Sequence, residues 1–217
     1  MKVEKYKNGF TLVELLVALM VTSIILTSVA TLAYALGKAN TSIIDISQKQ
    51  AQLRYATIRI SELLRHCKLV CAMVDNDIVI WKADDNPNNN RIDVLELAYI
   101  EIGDDADHIN ILEFSTCPRW LKSWFRSRRR QINIIQRGWF KSLLCWQCQE
   151  NRISLIPQCS NAQFLLDSPT PQTKAVNISF DLEEQGIMQS YQIGASLRCW
   201  TGNLLNSNGE IVSTDDD

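Results

Sequence analysis

The sequence predicts an α+β protein: one long N-terminal α-helix, membrane-spanning in its first half, packed on an antiparallel β-sheet domain. Three observations carry this. Phe10 to Leu36 form an apolar run holding a single charge, Glu14. Between Thr41 and Cys71 there is no Pro or Gly, and apolar residues recur at loosely helical spacing. From residue 77 onward the pattern changes to short β-type runs separated by polar turns.

The chain has 217 residues, enough for one soluble domain plus appendages. A formal charge of −2 and a pI near 5.8 give no global case for nucleic-acid binding. At 1.5 Å per residue, a helix over Phe10–Leu36 reaches about 40 Å, more than the roughly 30 Å hydrocarbon core of a bilayer. Lys2, Lys5 and Lys7 precede it against one acid, Glu4. The positive-inside rule therefore keeps the N-terminus in the cytoplasm and places everything beyond Leu36 outside the inner membrane. A plain signal anchor satisfies these facts. A secretory signal peptide fits less well: Ala33-Tyr34-Ala35 offers a cleavage pattern, but the apolar run before it is too long and carries Glu14. That carboxylate costs about 2.5–3.5 kcal/mol at bilayer depth, so it needs a partner or a purpose.

Gly9-Phe10-Thr11-Leu12-Val13-Glu14, with the basic residues before it and the apolar run after it, resembles the processing site of type IV pilins and pseudopilins. The resemblance covers about the first 36 residues. It implies a leader over residues 1–9, cleavage after Gly9 by a prepilin peptidase, and methylation of the new amine on Phe10. It also implies that Phe10 and Glu14 set the register of helices packed in a filament, together with other pilin or pseudopilin subunits. A cationic amine and a carboxylate at one depth reduce each other's desolvation cost when paired between neighbours.

The same resemblance implies a single helix to about Leu69, its residues 10–36 spanning the membrane and 37–72 continuing beyond it. Residues 73–202 are then a β-rich globular domain and 203–217 a polar tail. Within the domain, Asp77–Lys82, Val94–Ile102, His108–Ser115, Val176–Leu182 and Met188–Arg198 read as strands. Glu183-Glu184-Gln185-Gly186 reads as a hairpin turn in which Gly takes positive φ.

Three local features carry candidate chemistry. Asp85 to Glu96 resembles a twelve-residue calcium loop, with Asp85, Asn89, Asp93 and Glu96 supplying side-chain oxygens and Arg91 its carbonyl. Pro87 and Asn90 depart from that pattern, and a polar turn is the simpler reading. Arg119–Lys141 holds eight basic residues, no acidic ones and five aromatics. Such a segment suits an anionic membrane surface, an acidic partner or single-stranded nucleic acid, and otherwise a solvated basic loop with its aromatics packed beneath. No nucleic acid is expected as partner, DNA uptake being the weak exception.

Finally, Cys67, Cys71, Cys117, Cys145, Cys148, Cys159 and Cys199 are disulfide candidates outside the cytoplasm. Cys67 and Cys71 share a helix face in this reading, and each is expected to pair elsewhere. A four-thiolate zinc site built on Cys145-x-x-Cys148 with Cys67-x3-Cys71, or a redox pair at Cys145-x-x-Cys148, is the weaker alternative. No triad order, phosphate loop or nucleophile elbow is present, so no enzymatic activity is expected.

The sequence thus reads as a minor pilin-like subunit, by layout and by Val176–Arg198 most similar to J-type minor pseudopilins of type II secretion. It would act at the tip of a pseudopilus or type IV pilus, priming assembly or contacting cargo, with calcium as the one candidate cofactor. The competing class is a membrane-anchored periplasmic binding protein that never polymerises and recognises an anionic partner through its basic-aromatic segment.

Overall fold

A computed structural model describes residues 11–82, 91–103, 105–128, 130–184, 186–198 and 204–206. Helix α1 spans Leu12–His66 and is followed by β1 (Leu69–Val74), β2 (Asp77–Trp81), a 3-10 turn (Val94–Glu96), β3 (Leu97–Ile102) and β4 (Ile109–Thr116). Three short helices come next, α2 (Arg119–Arg126), α3 (Gln131–Ile135) and α4 (Gly138–Gln147). The chain closes with β5 (Gln149–Ile156), β6 (Ser160–Leu166), β7 (Ala175–Glu184) and β8 (Ile187–Ser196). It divides into two compact units between Lys49 and Gln50.

The first unit is the N-terminal part of α1. Its apolar side chains are exposed all round, from Leu12 through Leu26 to Leu36. Buried hydroxyls are costly in lipid unless bonded, and here the helix bonds its own. Thr22 donates to the Ala18 carbonyl at 2.9 Å, Thr27 to Ser23 at 2.7 Å and Ser28 to Ile24 at 2.8 Å.

In the second unit α1 becomes amphipathic. Ala56, Ile60 and Leu64, spaced i, i+4, i+8, are fully buried in one core. That core also takes one face of a five-stranded antiparallel sheet, β1-β2-β3-β4-β5, and one face of a three-stranded sheet, β6-β7-β8. A second core lies on the opposite face of the five-stranded sheet, where Leu121, Phe125, Ile132, Phe140 and Leu144 of α2–α4 cover Val79, Trp81, Tyr99 and Leu112. Both faces of β2 and β3 are therefore buried along their whole length. The three-stranded sheet has one covered face and alternates along β7 and β8.

The α+β class holds, with several corrections. The helix ends at His66, short of Leu69 and of residue 72, and Leu69–Val74 is strand. No Gly or Pro marks this stop; β1 forms because it pairs with the unbroken apolar run of β2, a tertiary preference that overrides local pattern. Two sheets replace the single sheet expected, and β5 and β6 join the anticipated strands. The strand expected from Val94 begins at Leu97, because Asp93 caps a 3-10 turn ahead of it. Arg119–Lys141, expected as a loop, instead carries α2, α3 and the start of α4. The β7–β8 hairpin turns as predicted, pairing Glu184 with Ile187 across Gly186 at φ 80°.

Candidate functional site

Gly9 and Phe10 lie outside the described residues; the N-terminal site is built from Thr11 onward. Thr11 Oγ1 accepts the Glu14 backbone N–H at 3.3 Å, and the Thr11 N–H donates to Glu14 Oε2 at 3.1 Å. The Thr11 hydroxyl also donates to the same oxygen at 3.0 Å. This reciprocal capping box satisfies donors that a helix start leaves orphaned. It holds the Glu14 carboxylate at the positive end of the helix dipole, four residues after Phe10 in the sequence. Sequence reading gave Glu14 a role but missed Thr11, although Thr11-x-x-Glu14 spells the capping pattern.

The second candidate, the calcium loop, is divided. Asp85 and Asn89 lie outside the described residues. Asp93 and Glu96 use their carboxylates within the fold, in a second capping box on the Val94–Glu96 turn. Glu96 Oε2 accepts from the Asp93 N–H at 2.8 Å and from the buried Trp81 indole at 3.1 Å. Asp93 pairs with Arg126, and the Arg91 guanidinium donates to the Arg126 carbonyl. Among the described residues, no cluster of three or more His, Cys, Asp or Glu is placed to hold a metal ion.

Of the cysteines, Cys117 and Cys148 form a disulfide. It closes a loop over α2–α4, worth about 3–4 kcal/mol in a chain-entropy account. Cys71, Cys145 and Cys159 are thiols, and Cys199 lies outside the described residues. Burial pushes Cys145 and Cys159 up to about 11 and Cys71 well above the usual thiol range. Such thiols are poor nucleophiles at neutral pH. Cys67 and Cys71 do not share a helix face. The helix ends at His66, with Cys67 just beyond it in the core under α1, and β1 sends Cys71 into the core under α2–α4. That separation, with Cys148 bonded to Cys117, removes the four-thiolate zinc arrangement.

The third candidate is the basic-aromatic segment. Its aromatics divide by face. Phe125 and Phe140 stack at 5.0 Å inside the second core. Trp120 and Trp139 stay about half exposed, at 55% and 48%, and Trp146, beyond the segment on α4, is 82% exposed. The last basic residue, Lys141, turns inward. It bridges Asp77 at 2.5 Å and Glu101 at 2.7 Å, two carboxylates that face each other across β2 and β3. Burial alone would lower the Lys141 pKa, but its bonds to both acids outweigh that and raise it. At Asp77 the balance is opposite: desolvation exceeds the Lys141 attraction, and the carboxyl sits above its ordinary value.

α1 is the one helix, among the described residues, long and apolar enough to cross a membrane. No curated protein and no solved structure matches the chain. Residues 5–30 match the prokaryotic N-terminal methylation motif, the prepilin-type motif, which supports a type IV pilin-like chain anchored by a single membrane pass and processed by prepilin peptidase.

Proposed function

We propose that this chain is a minor pilin-like subunit. A prepilin peptidase cuts after Gly9 and methylates the Phe10 amine. The mature chain then assembles through α1 with other subunits at the tip of a type II secretion pseudopilus or a type IV pilus. There it primes assembly or contacts cargo, in the manner of a J-type minor pseudopilin. The methylation-motif match over residues 5–30 carries this reading, because it runs directly into a helix whose exposed apolar surface holds one carboxylate. The basic flank favours a cytoplasmic N-terminus and a periplasmic domain. The Cys117–Cys148 disulfide suits an oxidising compartment.

In this mechanism Thr11 satisfies Glu14 while the subunit is a lone anchor. In the filament, the Phe10 amine of a neighbour becomes the stronger partner, since it adds the attraction of a full opposite charge where Thr11 offers only neutral donors. A register error leaves both charges unpaired in lipid, which penalises misaligned packing.

The first experiment is mass spectrometry of the mature N-terminus, with and without prepilin peptidase. A chain starting at N-methylated Phe10 only when the peptidase is present supports the reading; a chain retaining Met1, or starting near Leu36, refutes it. Glu14→Ala then separates assembly from simple anchoring. Membrane insertion is expected to persist while incorporation into filaments falls at least about tenfold. Unchanged filament incorporation would favour the anchored binding protein.

A further inference from the structure

We propose that the outer face of α2 and α4 is a docking surface for an acidic polypeptide. The surface follows from helical spacing and one staple. Trp120 and Trp124 lie four residues apart on α2, and Trp139 and Trp146 lie seven apart on α4, so each pair shares a helix face. Cys117, just before α2, is bonded to Cys148, just after α4, with their Cα atoms 4.3 Å apart. At the other end the Trp124 and Trp139 rings are 6.3 Å apart. The two helices therefore run antiparallel, with half-buried Trp124 beside Trp139 at one end and exposed Trp120 and Trp146 toward the disulfide end. Phe125 and Phe140, stacked inside the core, form the floor beneath these tryptophans.

Charge surrounds these rings. The Arg128 guanidinium stacks over Trp124 at 5.0 Å. Arg119 and Arg137 are exposed at the starts of α2 and α4, and no carboxylate occurs anywhere in Arg119–Lys141. A partner must therefore bring both negative charge and apolar surface. A lipid headgroup layer and a nucleic acid also bring negative charge, but residue choice favours protein. Exposed charge here is arginine-rich, and one of the two lysines, Lys141, is spent inside the fold. Tryptophan and arginine are the residue types that dominate energetic hot spots between proteins, where lysine is depleted. Helices tied at one end by the disulfide and at the other by the Trp124–Trp139 contact also lose little entropy on binding. Nothing in this surface depends on α1 or on the pilin-like reading.

The test uses the full chain in neutral phosphatidylcholine nanodiscs, read by tryptophan fluorescence. Three probes are titrated: an amphipathic peptide of Glu and Leu, phosphatidylglycerol vesicles, and oligothymidylate. The expected result is tightest binding of the peptide. Trp120→Ser with Trp146→Ser should weaken it at least about tenfold, as should Arg128→Glu with Arg137→Glu. These side chains are exposed, so an unchanged thermal midpoint confirms that each variant folds; one that fails to fold is replaced by Trp146→Ser or Arg137→Glu alone. Tighter binding of vesicles would assign the surface to membrane, and tighter binding of oligothymidylate to nucleic acid. Either result overturns the proposal, and so does peptide binding that survives both substitution pairs.

Discussion

The two antiparallel sheets of this domain are covered differently. The five-stranded sheet is buried on both faces through β2 and β3, by α1 and the three-stranded sheet on one side and α2–α4 on the other. The three-stranded sheet is covered on one face and wet on the other. The difference is written in the strands. β2 (DIVIW) and β3 (LAYIEI) are apolar almost without break, the pattern usually found in parallel sheets sealed by helices. β7 (AVNISFDLEE) alternates Val176, Ile178, Phe180 and Leu182 inward with polar residues outward. An antiparallel sheet can therefore demand a second covering layer, and here a disulfide-stapled helical insert supplies it.

Removing that layer's anchor should have the largest effect. Phe125→Ala deletes a buried ring stacked on Phe140, and large-to-small changes of this kind cost about 3–5 kcal/mol. Denaturant unfolding of the full chain in detergent measures it. The corresponding loss at Leu165, on the wet side of β6 and 47% exposed, should stay below about 1 kcal/mol. Equal costs at the two sites would mean that the helical insert is not a true core.

The same comparison explains what was legible. β2, β4, β7 and the hairpin at Gly186 could be read because their patterns or turn residues are local. β1 could not, because Leu69–Val74 continues a helix-compatible stretch and becomes strand only by pairing with β2. The fate of Cys67 and Cys71 depended on that switch. β5 hid for another reason: its first residues, Gln149–Arg152, are polar and exposed, so only its end looks like strand. The helices α2 and α4 were legible in principle, since Leu121 and Phe125, and Phe140 and Leu144, stand four apart on each buried face. Dense basic charge drew attention away from that spacing. At the N-terminal site Glu14 could be read from its isolation in an apolar run; Thr11 needed attention to helix caps rather than to charge.

A medium-sized effect is expected where the insert meets the sheet electrostatically. Lys141→Met leaves Asp77 without its cation, facing a Glu101 that keeps only Arg152, at 3.5 Å. Breaking a buried pair costs about 3–5 kcal/mol, and partial exposure of Lys141 reduces this to about 2–3. The pH signature is distinctive. Because the folded Lys141 pKa is raised, its stabilisation is complete below the ordinary lysine value and is lost as pH rises through the raised value. Asp77 is also raised, so stability falls as pH climbs from the ordinary carboxylate range through its folded value. Lys141→Met should shrink the alkaline loss to the part that the raised Cys71, Cys145 and Cys159 thiols cause, and steepen the fall above the ordinary carboxylate range. Unfolding curves across pH check both limbs, and an alkaline limb of unchanged size in the variant would assign that loss wholly to other groups.

The smallest effect should have the opposite sign. Tyr99 is 2% exposed, and its hydroxyl has no hydrogen-bond partner among the described residues. Its ring packs edge-on against Phe114 at 6.0 Å, a contact that phenylalanine keeps. A buried hydroxyl without a partner carries a desolvation penalty of about 1–3 kcal/mol. Tyr99→Phe should therefore leave stability unchanged or raise it by up to about 1 kcal/mol. On the wet sheet, the Tyr191 hydroxyl donates to Glu184 at 2.7 Å, and Tyr191→Phe should lower stability by about 0.5 kcal/mol. The sign difference isolates covering from chemistry, since both substitutions delete the same atom. A loss at Tyr99 equal to that at Tyr191 would show that a bound water satisfies the buried hydroxyl, and that the second core is wetter than its side chains suggest.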